Sequence, residues 1–244
     1  MSGHSHWATI RRKKGAADAK KGKQFSKIAK QIITAVRHGG PNPDANLKLQ
    51  YAIQEARSIS MPKDTIQNAI KKGAGDKDGA DDFTEAIYEG FGPAGVGILI
   101  ATLTDNTNRT GPEVRKILEK RGGKSAAQGS VSYKFDNNGL ITVRLDAIDE
   151  DALLELALEA GAEDVTTNTD DEVYEIITST SDFYNVVKAL EDKEIPTEVA
   201  EITMIPQTQI DVDEATAEKI INLMEDLDDH DDVQKVYTDA NFPS

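Results

Sequence analysis

The sequence predicts a multidomain α and α+β protein: an N-terminal three-helix domain, then an α+β domain with a ferredoxin-like (βαββαβ) domain inserted in it. Three observations predict this. Apolar residues recur at helical spacing in three successive segments before residue 75. Between Leu140 and Met204 the pattern runs strand, helix, strand, strand, helix, strand, the order of a split βαβ unit. Strand-patterned segments on either side of that unit, within 85–135 and 207–238, are left to join one another.

The elements follow in chain order. Residues 1–22 are small, polar and basic, with little to bury, and read as a mobile arm. A helix from Gln24 to His38 stops at Gly39-Gly40-Pro41. Phe25, Ile28, Ala29, Ile32 and Val36 share one side of it, and Lys23, Lys27, Lys30, Thr34 and Arg37 fall opposite, on a basic outside. A second helix, Asp44–Ser58, places Leu49, Ala52, Ile53 and Ala56 on one stripe. Pro62 opens a third, with Ile66, Ala69 and Ile70 inward and Gly73 as its C-terminal cap. The helical domain spans 23–75, and GAGDKDGADD, residues 73–82, is a linker by composition.

Ala86–Glu89 and Val96–Leu103 read as strands joined by GFGPAG. Thr110-Gly-Pro-Glu113 reads as a capping box opening a helix that ends at Gly122-Gly123, and Val131–Phe135 as a further strand. The inserted domain, 137–205, has strands Leu140–Leu145, Asp164–Thr167, Glu172–Ser179 and Glu198–Met204, and helices Glu150–Ala160 and Ser181–Asp192. A strand at Thr208–Val212, a helix at Glu214–Leu227 and a strand at Val233–Tyr237 complete an outer α+β domain of 82–136 plus 206–240.

The formal charge of −15 hides two opposite parts. Up to Gly75 there are fifteen Lys/Arg and four Asp/Glu, a balance of +11; the remainder carries thirteen and thirty-nine, a balance of −26. Such asymmetry points to a nucleic-acid-facing segment on a body that does not itself bind phosphates. There is no cysteine, which excludes disulfides, thiolate metal sites and cysteine nucleophiles. The longest apolar run, Val96–Leu103, is too short to cross a bilayer, and the start has no signal-like apolar stretch. A basic start also suits a transit peptide, but here it leads directly into a patterned helix. The expectation is a cytoplasmic protein with no membrane partner.

Patterns that resemble chemistry resolve mostly into structure. Gly90-Phe-Gly92-Pro-Ala-Gly95 matches G-x-G-x-x-G, but a buried strand rather than a helix follows, so it reads as a hairpin turn. Gly123-Lys124-Ser125 lacks the earlier glycine of a phosphate loop. His4, His6, His38 and His230 include no i, i+4 pair. If Met1 were removed, Ser2-Gly3-His4 would offer a square-planar nitrogen set for Cu(II) or Ni(II), although His4 reads first as an exposed arm residue. The cluster Glu225, Asp226, Asp228, Asp229, Asp231 and Asp232 lacks calcium-loop spacing. It reads as solvated surface, with an acidic patch that repels phosphate or receives a basic partner surface as the alternative. No metal, cofactor or catalytic set is expected.

The basic region remains. Lys and Arg side chains release condensed counterions on meeting phosphates, and Trp7 beside them can stack on an exposed base. The predicted nucleic-acid contacts are Trp7, Arg11, Arg12, Lys13, Lys14, Lys20, Lys21, Lys23, Lys27, Lys30 and Arg37. The third helix adds Lys63, Asp64, Gln67 and Asn68, a weak match to a base-reading helix.

Several segments then carry a resemblance. GHSHW with a basic arm, PNPDANLKLQYAI, MPKDTIQNAIKKG, YEGFGPAGVGIL, LTDNTNRT, VRKIL, GSVSYKF, ALEAGAEDV and the late MIP resemble, in order and spacing, the YebC family. That family includes bacterial proteins described as transcriptional regulators and the mitochondrial translational activator of cytochrome c oxidase subunit I. The chain departs from it at 125–128, SAAQ where a leucine-glycine pair is usual, and at His6, where lysine is common. The resemblance implies a helical domain followed by two α+β domains, one inserted in the other, and no catalytic residues. It implies a non-enzymatic nucleic-acid-binding regulator of gene expression, described as a DNA-binding transcriptional regulator. The alternative is a ribosome- and ribosomal-RNA-binding translation factor that assists difficult stretches such as consecutive prolines. A monomer is expected.

Overall fold

The computed structural model describes the backbone of residues 18–75 and 83–243, with side chains from residue 22 onward in the first stretch. The arm up to residue 17, and linker residues 76–82, lie outside the described residues. The described chain forms two compact units, residues 135–205 and the remainder.

The larger unit begins with three helices: α1 (Asp18–Gly39), α2 (Leu47–Ser58) and α3 (Lys63–Ala74). α1 starts inside the stretch whose composition reads as arm, because polar residues extend a helix once a downstream apolar face is docked. Ile28, Ile32, Val36, Leu49, Ala52, Ala56, Met61, Ile66 and Ala69 form one core. The second helix does not open at Asp44. A 3-10 turn occupies Pro43–Ala45, and Asn46 caps α2 by accepting from the Leu49 N–H. The same buried carboxamide donates to the Ala35 and Gly40 carbonyls, 2.8 Å each, which fixes the α1–α2 corner. Gly73 is not a cap. It lies within α3 against α1, where a Cβ would come to 2.8 Å from Val36 Cβ and 2.9 Å from the Ile33 carbonyl oxygen. Only glycine lets the two helices approach so closely.

The chain continues with β1 (Thr84–Phe91), β2 (Gly97–Thr104), α4 (Thr107–Lys120) and β3 (Lys124–Ser125). β1 and β2 form an antiparallel hairpin closing at Phe91↔Gly97, so GFGPAG is a turn between strands. α4 starts three residues before the expected capping box. Asn106 is its cap, accepting from the Asn108 and Arg109 N–H groups, and Thr110 is buried inside the helix. No strand forms at Val131. The Glu89 carboxylate gathers the N–H groups of Gly129, Val131 and Ser132 at 2.7, 2.5 and 3.1 Å, and the backbone turns as a 3-10 helix over Ser132–Lys134 instead.

The second unit contains β4 (Phe135–Arg144), α5 (Glu150–Glu159), β5 (Ala162–Asn168), β6 (Val173–Thr178), α6 (Phe183–Asp192) and β7 (Thr197–Pro206). Its sheet order is β5-β6-β4-β7, that of a ferredoxin-like βαββαβ unit, with β4 and β5 both antiparallel to β6.

The chain returns to the first unit through β8 (Ile210–Asp211), α7 (Glu214–Asp228), β9 (Val233–Thr238) and β10 (Ala240–Asn241). The expected strand Thr208–Val212 shrinks to two residues paired in parallel with β10. β9 adds to the first sheet, giving the order β3-β1-β2-β9. α4 and α7 cover it through Ile98, Ile100, Val114, Leu118, Ile220, Leu223, Met224, Leu227 and Val236.

Candidate nucleic-acid interface

The apolar side of α1 is spent on the helical core, which leaves Lys23, Lys27 and Lys30 on the far side. The expected basic outside is not solvent, however. Lys23 Nζ donates to the Asp229 carbonyl at 3.0 Å, Lys27 Nζ to the Asp228 carbonyl, and Lys30 Nζ to the Asp231 carbonyl at 3.1 Å. Lys27 is only 8% exposed. Carboxylates flank each contact, with Lys27–Asp228 and Lys30–Asp232 both at 3.4 Å. Lys30 also sits over the Phe83 ring, 5.5 Å from its centroid.

The physical cause lies at the end of α7. The last carbonyls of a helix lack internal donors and carry the negative end of its dipole. Here Asp228, Asp229, Asp231 and Asp232 add four acids to that end. Three lysines at helical spacing supply both the missing donors and the opposite charge. The acidic cluster is therefore not all solvated surface: part of it receives a basic face of the same chain. Thr34, on the same stripe of α1, is buried with its Oγ1 unpaired, as is Gln234 Nε2 on β9. Each such atom costs about 1–3 kcal/mol.

Asp232 is the pivot of this region and is 4% exposed. Its Oδ2 accepts from Arg109 at 2.6 Å, Thr110 at 2.9 Å and Thr104 at 3.1 Å. Burial opposes its charge, but these hydrogen bonds and the nearby Lys30 prevail and hold the carboxyl down at about 2. The segment LTDNTNRT is thus a receptor for one distant carboxylate. Glu89 is a second structural acid: burial opposes its charge, and the backbone N–H groups it collects bring it below the usual range. Asp239, 1% exposed, accepts from Lys134 Nζ and the Gly97 N–H.

A groove of about 290 Å³ lies beside α4, lined by Ile87, Tyr88, Val114, Leu118 and Arg115 with Glu89 at its edge, and that carboxylate is already engaged by the turn. Among the described residues no group of three or more His, Asp or Glu is placed to hold a metal ion. No described helix is long and apolar enough to cross a membrane.

The predicted contacts divide accordingly. Trp7, Arg11, Arg12, Lys13 and Lys14 lie outside the described residues, as do the side chains of Lys20 and Lys21, whose backbone is part of α1. Lys23, Lys27 and Lys30 meet the acidic segment. Arg37 is half-buried. On the outer side of α3, Lys71 and Lys72 join Lys63, Gln67 and Asn68, and all five are exposed. Lys63, Lys71 and Lys72 make no ion pair among the described residues, and the acid in the first turn of α3 is Asp64. Lys63, Gln67 and Lys71, each four residues apart, share one side of a helix, and that spacing is visible in the sequence.

Residues 5–76 match the family described as the TACO1/YebC protein N-terminal domain, and residues 83–240 the TACO1/YebC second and third domain. A relative from Desulforapulum autotrophicum is 51% identical over 243 residues, covering 100% of this chain and 97% of that one. One from Geobacter sulfurreducens is 49% identical, covering 99% and 96%. Both are named probable transcriptional regulatory proteins. A crystal structure from Aquifex aeolicus, described as a conserved hypothetical protein, superposes with a TM-score of 0.84 at 44% identity, covering 98% of each chain.

Proposed function

We propose, from the premise that this chain belongs to the TACO1/YebC family, that it is a non-catalytic regulator of gene expression that binds DNA through its basic N-terminal domain. The names of its relatives as probable transcriptional regulatory proteins support the regulatory role. One observation carries the nucleic-acid reading. The exposed side of α3 presents Lys63, Lys71 and Lys72, with no ion pair among the described residues, around Gln67 and Asn68. Lysines of this kind position a protein on phosphates, and Gln or Asn can pair with an adenine edge in the major groove. The run Arg11–Lys14 and the pair Lys20-Lys21 extend the same charge.

Anisotropy titration of a labelled promoter duplex tests this at ~0.15 M salt, where nonspecific phosphate attraction is much weakened. Sequence-preferring binding is expected. Reversal of Lys13, Lys14, Lys20 and Lys21 to Glu, and separately of Lys63, Lys71 and Lys72, is expected to abolish it while the far-UV spectrum stays unchanged. Binding that survives both variants removes the basic domain as the contact surface.

A second reading, binding to ribosomal RNA as a translation factor, is favoured by the single Trp7 beside a basic run, a combination that suits unstacked bases. In-cell crosslinking with sequencing of both DNA and RNA separates the two, since a promoter footprint and a ribosomal footprint have different sequences.

A further inference from the structure

The lysine row of α1 and the acidic end of α7 meet as such a row would meet a phosphate backbone. Three ammonium groups, one per helical turn, each find an anionic or carbonyl oxygen across the contact. Further polar pairs join α1 and α2 to β9: Gln31 donates to Gln234 at 3.3 Å, and Lys235 of β9 pairs with Glu55 of α2 at 3.4 Å. Contacts made by charge weaken as salt rises. Thr34 Oγ1 and Gln234 Nε2, buried and unpaired on the two surfaces, make this contact costlier to keep closed.

We propose that the segment Asp228–Asp232 is an intramolecular occupant of a phosphate-binding row on α1, and that DNA competes with it for Lys23, Lys27 and Lys30. The inference rests on the reading that the basic domain binds nucleic acid. In the closed arrangement, among the described residues, the exposed lysines of α3 remain to meet a duplex. Displacement of the acidic segment adds three cations to the bound surface and strengthens the complex. The acidic body then sets a threshold: weak anions leave the contact closed, and a dense polyanion opens it.

The test uses the full chain and a short fluorescein-labelled DNA duplex. One variant carries Asp228→Asn, Asp229→Asn and Asp231→Asn; Asp232 is left intact because it anchors Arg109, Thr110 and Thr104. A control carries Asp151→Asn, Glu155→Gln and Glu191→Gln, the same charge change on α5 and α6. The first variant is expected to bind about threefold or more tighter than the control, from the strength of the ion pairs released. Adding Lys23→Gln, Lys27→Gln and Lys30→Gln is expected to erase that gain.

A second measurement leaves the contact untouched. The chain has no cysteine, so Ser26→Cys on α1 and Glu218→Cys on α7 accept a dye pair uniquely. Energy transfer between them is expected to fall as duplex is added. Equal affinity of the neutralised and control variants, or transfer that stays constant at saturating duplex, overturns the proposal while leaving DNA binding standing. Failure of wild type and both variants to bind duplex at any salt overturns the nucleic-acid reading and the proposal together.

Discussion

Lys27 on α1 donates a hydrogen bond to the backbone carbonyl of Asp228, 201 residues further along the chain. The bond joins the helical domain to the end of α7 inside one compact unit. It converts a face that looks solvated by its composition into a partly buried one.

Replacing Lys27 with Ala removes the donor and leaves helix-end carbonyls without a partner. A loss of about 1–3 kcal/mol is expected, since the bond is charge-assisted and largely buried. Urea denaturation monitored by circular dichroism measures it, and a change below a few tenths of a kcal/mol contradicts the contact.

Asp232 makes stability depend on acid. Its folded carboxyl sits at about 2, below the ordinary value near 3.9 that holds in the unfolded chain. A depressed carboxyl contributes its full stabilisation above about pH 4 and loses it as pH falls toward 2. The contribution is about 1–2 kcal/mol once solvent screening on the half-exposed Arg109 side is allowed for. Asp232→Asn is expected to lower stability at pH 7 and flatten this part of the pH profile. A profile between pH 4 and 2 with the wild-type slope contradicts the assignment.

Glu89 holds the 129–132 turn through three backbone N–H groups. Glu89→Gln keeps the shape but turns one acceptor oxygen into a donor facing donors, so a cost of about 1–3 kcal/mol is expected. Amide exchange should accelerate first at Gly129, Val131 and Ser132. Uniform acceleration across the whole unit would indicate a general core effect instead.

Two glycines in the helical domain should respond in opposite directions. Gly73→Ala forces a methyl to within 2.8 Å of Val36 Cβ and is expected to cost about 1–3 kcal/mol. Gly22 lies in α1 with nothing within 4 Å of an added Cβ, so Gly22→Ala is expected to gain about 0.5–1 kcal/mol. Thermal unfolding of the two variants, compared with wild type, reads the sign directly.

Much of the architecture was legible because it is written in local period. Ile28, Ile32 and Val36, or Leu49, Ala52 and Ala56, identify a buried stripe without reference to anything distant, and all six lie in one core. The βαββαβ order was legible for the same reason. The errors fall where one side chain reaches across the chain to change a local preference. Thr110 reads as a helix cap until Asp232 draws it inward, leaving Asn106 to cap α4. Val131 reads as a strand until Glu89 claims its N–H. Gly73 reads as a terminator until Val36 approaches it.

The sequence by itself determined the succession of helices and strands, the split of charge between the two ends and the family to which the chain belongs. Each depends on residue types and spacing, which neighbours along the chain suffice to specify. Only the tertiary structure decided which of the basic residues are free. A lysine is defined electrostatically by what lies within a few ångströms of its ammonium group, and for Lys23, Lys27 and Lys30 those groups come from the far end of the chain. No local period carries that information: Lys23, Lys27 and Lys30 meet the acidic segment, while Lys63, Lys71 and Lys72 are exposed.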